Sequence, residues 1–511
     1  MQTLSEMLRR AARLFPDKPF IVHEDRRLDY GDFDRLSSRL ANVFRAHGAG
    51  KGDPVGLYLP SCPELAVGYY ACQKIGAIAV PMSVMYRGRE AESIVGRTDM
   101  KLMLANAETL PVALETRQKL GLPREILAHG GPQPGALDAD AELANASANH
   151  ADAPCAPEDR AALFFTSGTT GAPKGAMQTQ RSIYYTLRDM EVYNRFRFGR
   201  EVLLGVLPIF NNFGATCLMN GAVYNCGTLV MVERWDTRKV LDAIARHRAT
   251  FMAGTPTMFL YMLQDYRPDA DDLSSMRLGV TGGAPVAPSL IDRWQETTGI
   301  PLTQIYGATE SSGYVTGEPV IGHRKRGSAG LPFGSTEIAI VDDDGRELPA
   351  GQIGEVRIAG DTVGAGYWRD PEVSARTFTP PGWLSGDLGY LDEEGYLFIV
   401  DRKKDVIISG GYNIYPLEVE EVLYAHPAVA VCALVGVPDP VKGEIPVACV
   451  ILKEGAQAGA EELIRHCRDR IAAYKAPRRV AFMTEMPLGP SGKILKRELR
   501  RWAQEGRIGV S

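Results

Sequence analysis

The first fifteen residues, MQTLSEMLRRAARLF, place Leu4, Met7, Leu8, Ala11, Leu14 and Phe15 at helical spacing around charged positions. That spacing predicts an amphipathic helix. It lacks the apolar centre and cleavage site of a signal peptide. Up to about residue 125, helical patterns alternate with short apolar runs such as Pro54–Tyr58 and Ala77–Pro81, the rhythm of a parallel α/β layer. Residues 128–159 are rich in Ala, Asp, Pro and Gly with little periodicity, and read as a surface connection without a site.

A second α/β run extends from Ala161 to about Tyr306, with strands expected at Ala161–Phe165, Thr228–Val232 and Arg277–Thr281. Within it, Val202 to Val232 carries no charge and is long enough to cross a bilayer. It also contains Pro208, Asn211, Asn212, Asn220 and Asn225, and amides are costly in hydrocarbon. A buried strand–turn–helix is the better reading. From Gly327 to Val400 short strands are split by turn signals such as DDDGREL and DEEGY, a small β-subdomain.

After Asp401 the pattern is a compact α+β unit. Helices are expected over Pro416–Tyr424, Glu461–Ala473 and Leu495–Ala503, and strands over Val429–Val437 and Val447–Leu452. The expected fold is therefore α/β. A large N-terminal domain, 1–401, holds layered sheets and the β-subdomain, and a small α+β domain occupies 402–511.

Composition adds limits. At 511 residues, the chain has length for about three domain-sized units. With 45% hydrophobic and 23% charged residues it is ordinary globular material, neither disordered nor fibrous. A formal charge of −5 disfavours nucleic acid or a polybasic membrane contact. The stretch from Arg402 has 17 basic and 13 acidic residues, a mild excess compatible with an anionic ligand or with solvated surface. Eight scattered cysteines, none spaced C-x-x-C, fit reduced thiols in a cytoplasmic protein. No G-x-S-x-G is present and no histidine falls in a motif, which disfavours a serine hydrolase.

Glycine is unusually frequent, at 53 residues, and it is clustered. Thr166-Ser-Gly-Thr-Thr-Gly-Ala-Pro-Lys-Gly175 follows the apolar strand Ala161–Phe165. Its glycines let successive N–H groups converge on an anion. Thr166, Ser167, Thr169 and Thr170 add hydroxyl donors around Gly168 and Gly171, and Lys174 adds charge. This is phosphate-binding chemistry, but neither the Walker pattern nor G-x-G-x-x-G.

With this loop, and with further motifs following in order, the chain resembles the AMP-forming adenylating enzymes, which include acyl-CoA synthetases. The resemblance implies an N-terminal adenylating domain and a mobile C-terminal domain. It also implies ATP, Mg²⁺, coenzyme A and a carboxylic acid as ligands. Tyr306-Gly307-Ala308-Thr309-Glu310 resembles the adenine and magnesium motif. There Tyr306 lies against adenine, Thr309 reaches the α-phosphate and Glu310 holds Mg²⁺. Gly282-Gly283-Ala284-Pro285 resembles the segment between the adenine and acyl sites. Asp387, in Ser385-Gly-Asp387, resembles the ribose-binding aspartate. Within Asp401-Arg-Lys-Lys-Asp405, Arg402 resembles a ribose contact and Lys404 the hinge. Ser409, Gly410, Gly411 and Tyr412 resemble the segment lining the coenzyme A channel. Lys493, in Pro490-Ser-Gly-Lys493, matches the catalytic lysine, with Glu310 and Thr166 as further catalytic candidates.

The implied reaction joins a fatty or aromatic monocarboxylic acid to coenzyme A through acyl-AMP. Transfer to a carrier protein or an amine, or an inactive nucleotide-binding regulator, are the alternatives. Phe210, Asn211, Gly214, Gly282, Gly313 and Tyr314 are acyl-pocket candidates by segment position. Two positions depart from a common acyl-CoA synthetase pattern: Asn211, and Gln180 after Thr179, each stand where histidine is usual. Oligomeric state is not legible.

Overall fold

The computed structural model describes residues 1–166, 173–488 and 494–508. Contact density divides the chain into two compact units, 1–338 with 358–383, and 339–357 with 384–511.

Two sheets organise the first unit. One has seven strands, in the order Leu137–Asp138, Glu125–His129, Leu102–Asn106, Pro54–Tyr58, Ile78–Pro81, Arg160–Thr166, Lys174–Thr179. All its neighbours are parallel except the last pair. The other has nine strands, with a parallel centre of Leu302–Ala308, Leu278–Thr281, Phe251–Gly254, Val202–Gly205, Thr228–Met231 and Pro19–His23. Antiparallel strands finish both of its edges. The central strands are buried throughout, which is why they read as unbroken apolar runs without alternation.

The N-terminal helix forms over Leu4–Leu14, capped reciprocally by Thr3 and Glu6, and buries Leu4, Met7, Leu8 and Ala11 while Leu14 stays half exposed. Each fully buried Leu or Met contributes roughly 1.5–3 kcal/mol. Beneath it Lys74, with no exposed side-chain surface, lies 2.6 Å from Asp34, which also accepts from Arg9 at 3.1 Å. Arg9 continues to Asp152 at 2.7 Å.

That last contact revises the expectation for 128–159. The stretch contains the short strand Leu137–Asp138 and the helix Ala139–Asn145, whose first turn is capped by the Asp138 carboxylate. It is then tied down by Asp152 to Arg9 and by Asp159 to Lys51 at 2.7 Å. These ties are polar and its apolar contact is limited to a few residues such as Ala139 and Leu143, so hydrophobic periodicity carried little sign of it.

The uncharged 202–232 segment is buried as expected. It runs as strand Val202–Gly205, a π-helix Phe213–Asn220, a short helix Gly221–Tyr224 and strand Thr228–Met231. Amides of this segment bond inside the fold, as where Asn220 accepts from the Tyr70 hydroxyl at 2.8 Å. Among the described residues no helix is long and apolar enough to cross a membrane. The eight cysteines are free.

Short strands follow between 327 and 402, as the turn signals predict. In the second unit Val429–Asp439 and Gly443–Leu452 form a long antiparallel pair, flanked by Ile407–Ser409, Tyr412–Ile414 and Arg479–Phe482. Strand alternation splits its core in two. Cys432, Leu434, Ala448 and Val450 pack with helices Pro416–Tyr424 and Ala460–Arg468. Ala433, Val435, Val447 and Cys449 pack with Leu499 of helix Lys496–Gln504. The helix expected over Glu461–Ala473 stops at Arg468, because Ile471 joins the same cluster from a turn and prolongs the apolar spacing beyond the helix.

Candidate functional site

The Gly-rich loop joins two antiparallel strands. Arg160–Thr166 pairs with Lys174–Thr179, and Thr166 stands opposite Lys174. Ser167, Gly168, Thr169, Thr170 and Gly171 lie outside the described residues. The stem is held by the segment 364–368, whose backbone alternates with that of 175–177. Met177 N donates to Gly366 O at 2.9 Å, Ala365 N to Met177 O at 2.8 Å and Trp368 N to Gly175 O at 2.8 Å. Gly364 N then reaches Glu310 O at 2.8 Å, which brings the Tyr306–Glu310 turn to the same place.

There the Tyr367 hydroxyl donates to Glu310 Oε1 at 2.9 Å, and the Lys174 ammonium lies 5.4 Å from the Tyr367 ring centre. Burial, then the Glu310 charge, pushes the Tyr367 phenol up, so it stays a donor. Among the described residues no three His, Cys, Asp or Glu side chains converge. A single carboxylate beside a phosphate loop suits Mg²⁺, which takes its other ligands from phosphate oxygens and water.

The turn itself is tightly constrained. Leu302–Ala308 pairs with Gly313–Gly317, and a Cβ on Gly307 would lie 2.0 Å from Gly313 O. Ser311 Oγ accepts from Ala308 N at 3.2 Å and Ser312 N donates to Thr309 O at 3.1 Å, leaving residues 306–310 half-buried at the surface of the turn. Gly282 is fitted against Ile305, and a Cβ there would lie 2.8 Å from the Ile305 carbonyl oxygen. Only glycine avoids that clash. Gly283, at φ +79°, and Ala284 open outward.

Of the acyl-pocket candidates, Phe210 and Gly214 are buried and Asn211 is half-buried. Tyr314 is 1% exposed, packed edge-on to Phe213 and Phe333, so its ring is part of the core. Gly313 is buried at φ +154°, against Thr186 and Cys217. Gln180 is a packing residue: it accepts from Leu4 N at 2.9 Å and donates to Gln73 at 2.9 Å.

The second unit brings together the two ribose-motif residues. Asp387 and Arg402 are cross-strand partners, with Arg402 Nε 3.2 Å from Asp387 Oδ1. Lys404 is exposed between Arg402 and the buried Asp405, whose carboxylate accepts from Arg500 at 2.7 Å. Ser409 pairs with Tyr412 across a two-residue turn of Gly410 and Gly411, at φ +60° and +84°, the left-handed geometry that favours glycine. Tyr412 is 59% exposed and its ring lies 4.8 Å from that of Tyr474. Lys493 lies outside the described residues; the segments flanking it meet in a bridge between Leu488 and Ile494.

Comparison with known proteins identifies the family. Residues 8–368 match the family described as AMP-binding enzyme, and 418–493 match the AMP-binding enzyme C-terminal domain. The chain belongs to the AMP-binding enzyme family. A long-chain-fatty-acid–CoA ligase of Bacillus subtilis is 33% identical, over 98% of this chain and 94% of its own. A feruloyl-CoA synthase of Amycolatopsis is 34% identical, over 96% and 97%. The structure of the anthranilate CoA ligase AuaEII with anthranoyl-AMP superposes with a TM-score of 0.92 at 28% identity, covering 99% of this chain and 98% of that one. This AMP-binding enzyme is an AMP-forming acid–thiol ligase that takes ATP and coenzyme A.

Motif reading missed Tyr367 of this AMP-binding enzyme, the residue that holds Glu310. It stands 57 positions away and in no phosphate-like pattern; the aromatic run Tyr367-Trp368 after Gly364 and Gly366 was the available signal. It also missed the buried pair Gln178 and Asn212, joined at 2.6 Å.

Proposed function

We propose that the protein activates a fatty or aromatic monocarboxylic acid as its acyl-AMP and transfers the acyl group to coenzyme A, in the cytoplasm. The observation that carries this reading is the meeting of Glu310, Tyr367 and Lys174 at the stem of the Gly-rich loop. The uncharged 202–232 segment supports an uncharged acyl tail.

A carboxylate is a poor electrophile, since attack adds charge to a charged group. In the first step its oxygen attacks the α-phosphorus of ATP, the bond to the β-phosphate oxygen breaks, and pyrophosphate leaves. Thr166, Lys174 and the 167–171 donors hold the outgoing phosphates, Thr309 the α-phosphate, and Tyr306 with Gly282, Gly283 and Ala284 the adenine. Asp387 and Arg402 take the ribose. Lys493 bridges the two anions. Glu310 would hold Mg²⁺, which supplies charge neutralisation on the phosphates when bound. In the second step the coenzyme A sulfur attacks the acyl carbon, the thiol proton leaves, and AMP departs. The 402–511 segment rotates about Lys404, withdrawing Lys493 and presenting Ser409–Tyr412.

The test is CoA-dependent AMP release across aliphatic and aromatic acids. Pyrophosphate exchange that coenzyme A fails to complete would transfer the reading to a carrier-protein or amine acceptor. Lys493→Ala should lower adenylation about 10²–10³-fold, and an unchanged rate would remove Lys493 from the mechanism.

A further inference from the structure

Gln178 lies on the strand that leaves the Gly-rich loop and is completely buried. Its amide nitrogen donates to two acceptors at once, Thr309 O at 3.1 Å and Asn212 Oδ1 at 2.6 Å. One side chain therefore clamps the α-phosphate turn to the start of the π-helix. The Gln178 Oε1 is left buried with no partner among the described residues. A buried unpaired acceptor costs about 1–3 kcal/mol, so packing alone does not favour this side chain here.

The consequence falls on Asn212. Its Oδ1 already accepts a second hydrogen bond, from Thr216 Oγ1 at 2.8 Å, one turn along the π-helix. Both lone pairs of that oxygen are used, which fixes which way the amide faces. Its Nδ2 group has no partner among the described residues and, unlike Gln178 Oε1, is not sealed from solvent. Asn211 has no side-chain hydrogen bond to orient it among the described residues. Asn212 thus offers two N–H donors and no acceptor, from a charge-free segment, within one side chain's reach of Thr309.

We propose that Asn212 is a specificity-determining residue, and that the acid activated here carries an uncharged acceptor oxygen, keto or ether, within a few bonds of its carboxylate. This rests on the ligase reading above and narrows its substrate class. An anionic tail would sit unpaired against an uncharged wall, and a plain hydrocarbon would leave the Asn212 donors unsatisfied. Gln178 and Thr216 are positioning residues that act through Asn212.

The experiment compares kcat/KM for CoA-dependent AMP release on isosteric pairs: ethoxyacetate against pentanoate, and ortho-methoxybenzoate against ortho-ethylbenzoate. The wild type should prefer the ether in at least one pair by about tenfold or more, the worth of one buried hydrogen bond. Asn212→Leu should bring that ratio to about one. Gln178→Met and Thr216→Val should lower the same ratio without contacting substrate, and they serve if Asn212→Leu fails to fold. A ratio near one in the wild type, or a preference that survives in all three variants, overturns the proposal and leaves the ligase reading standing. No AMP release with any of the four acids, while other acids are turned over, also overturns it; none with any acid overturns both.

Discussion

Tyr367→Phe isolates one hydrogen bond. It deletes the hydroxyl that donates to Glu310 Oε1 at 2.9 Å and keeps the ring, with its edge-on contact to Phe378 at 5.5 Å and its place near Lys174. A hydrogen bond to a charged group contributes roughly 1.5–3 kcal/mol. Partners that orient a metal-binding carboxylate typically account for about 10–100-fold in metal affinity. The Mg²⁺ concentration that half-saturates pyrophosphate exchange should therefore rise at least about tenfold, and excess Mg²⁺ should restore most of the rate. Because burial and the Glu310 charge push the Tyr367 phenol up, the defect should not depend on pH in the neutral range. The thermal midpoint should fall only modestly, since one hydrogen bond is lost and no apolar contact. Unchanged Mg²⁺ dependence would refute the role of Tyr367, and an uncorrectable loss at high Mg²⁺ would refute metal binding by Glu310.

Lys74→Met removes the partner buried against Asp34 at 2.6 Å, and should destabilise the first unit by about 3 kcal/mol in urea unfolding, the low end for a broken buried pair because Arg9 remains beside Asp34. A change under about 0.5 kcal/mol would show that the pair is worth no more than its hydrophobic replacement. Gly307→Ala places a Cβ 2.0 Å from Gly313 O, so the strand pair must open, and adenylation should fall at least about 100-fold with little change in circular dichroism; a parental exchange rate would contradict it. Burial pushes the Asp401 carboxyl up to about 6 against the opposing pull of Lys496. A raised folded value means that this group stabilises the fold in acid and that the benefit is lost as pH rises through about 6. Compared with Asp401→Asn, the wild type should lose up to about 3 kcal/mol between pH 4 and 7, and parallel stability curves would refute this.

Short-range physics made much of this protein legible along the chain. Strands Pro54–Tyr58 and Thr228–Met231 and helix Pro416–Tyr424 were evident because burial on both faces makes a strand an unbroken apolar run and burial on one face gives a helix its period. The Gly-rich loop read as phosphate chemistry because its candidate donors stand in a few consecutive positions, whereas Tyr306–Glu310 stood out only by its resemblance to a family motif. Asp387 and Arg402 were singled out separately by their motifs, and the hairpin that makes them cross-strand partners came from the structure. Contacts between distant segments left no such trace. Tyr367 holding Glu310, Asp152 reaching Arg9, and Gln178 turning the Asn212 amide each join residues whose sequence separation carries no period, and each depends on geometry rather than residue class. Glutamine and asparagine beside a phosphate loop mean little in a string of letters; only the folded chain decides which of their atoms are already bonded, and therefore what they have left to offer a substrate.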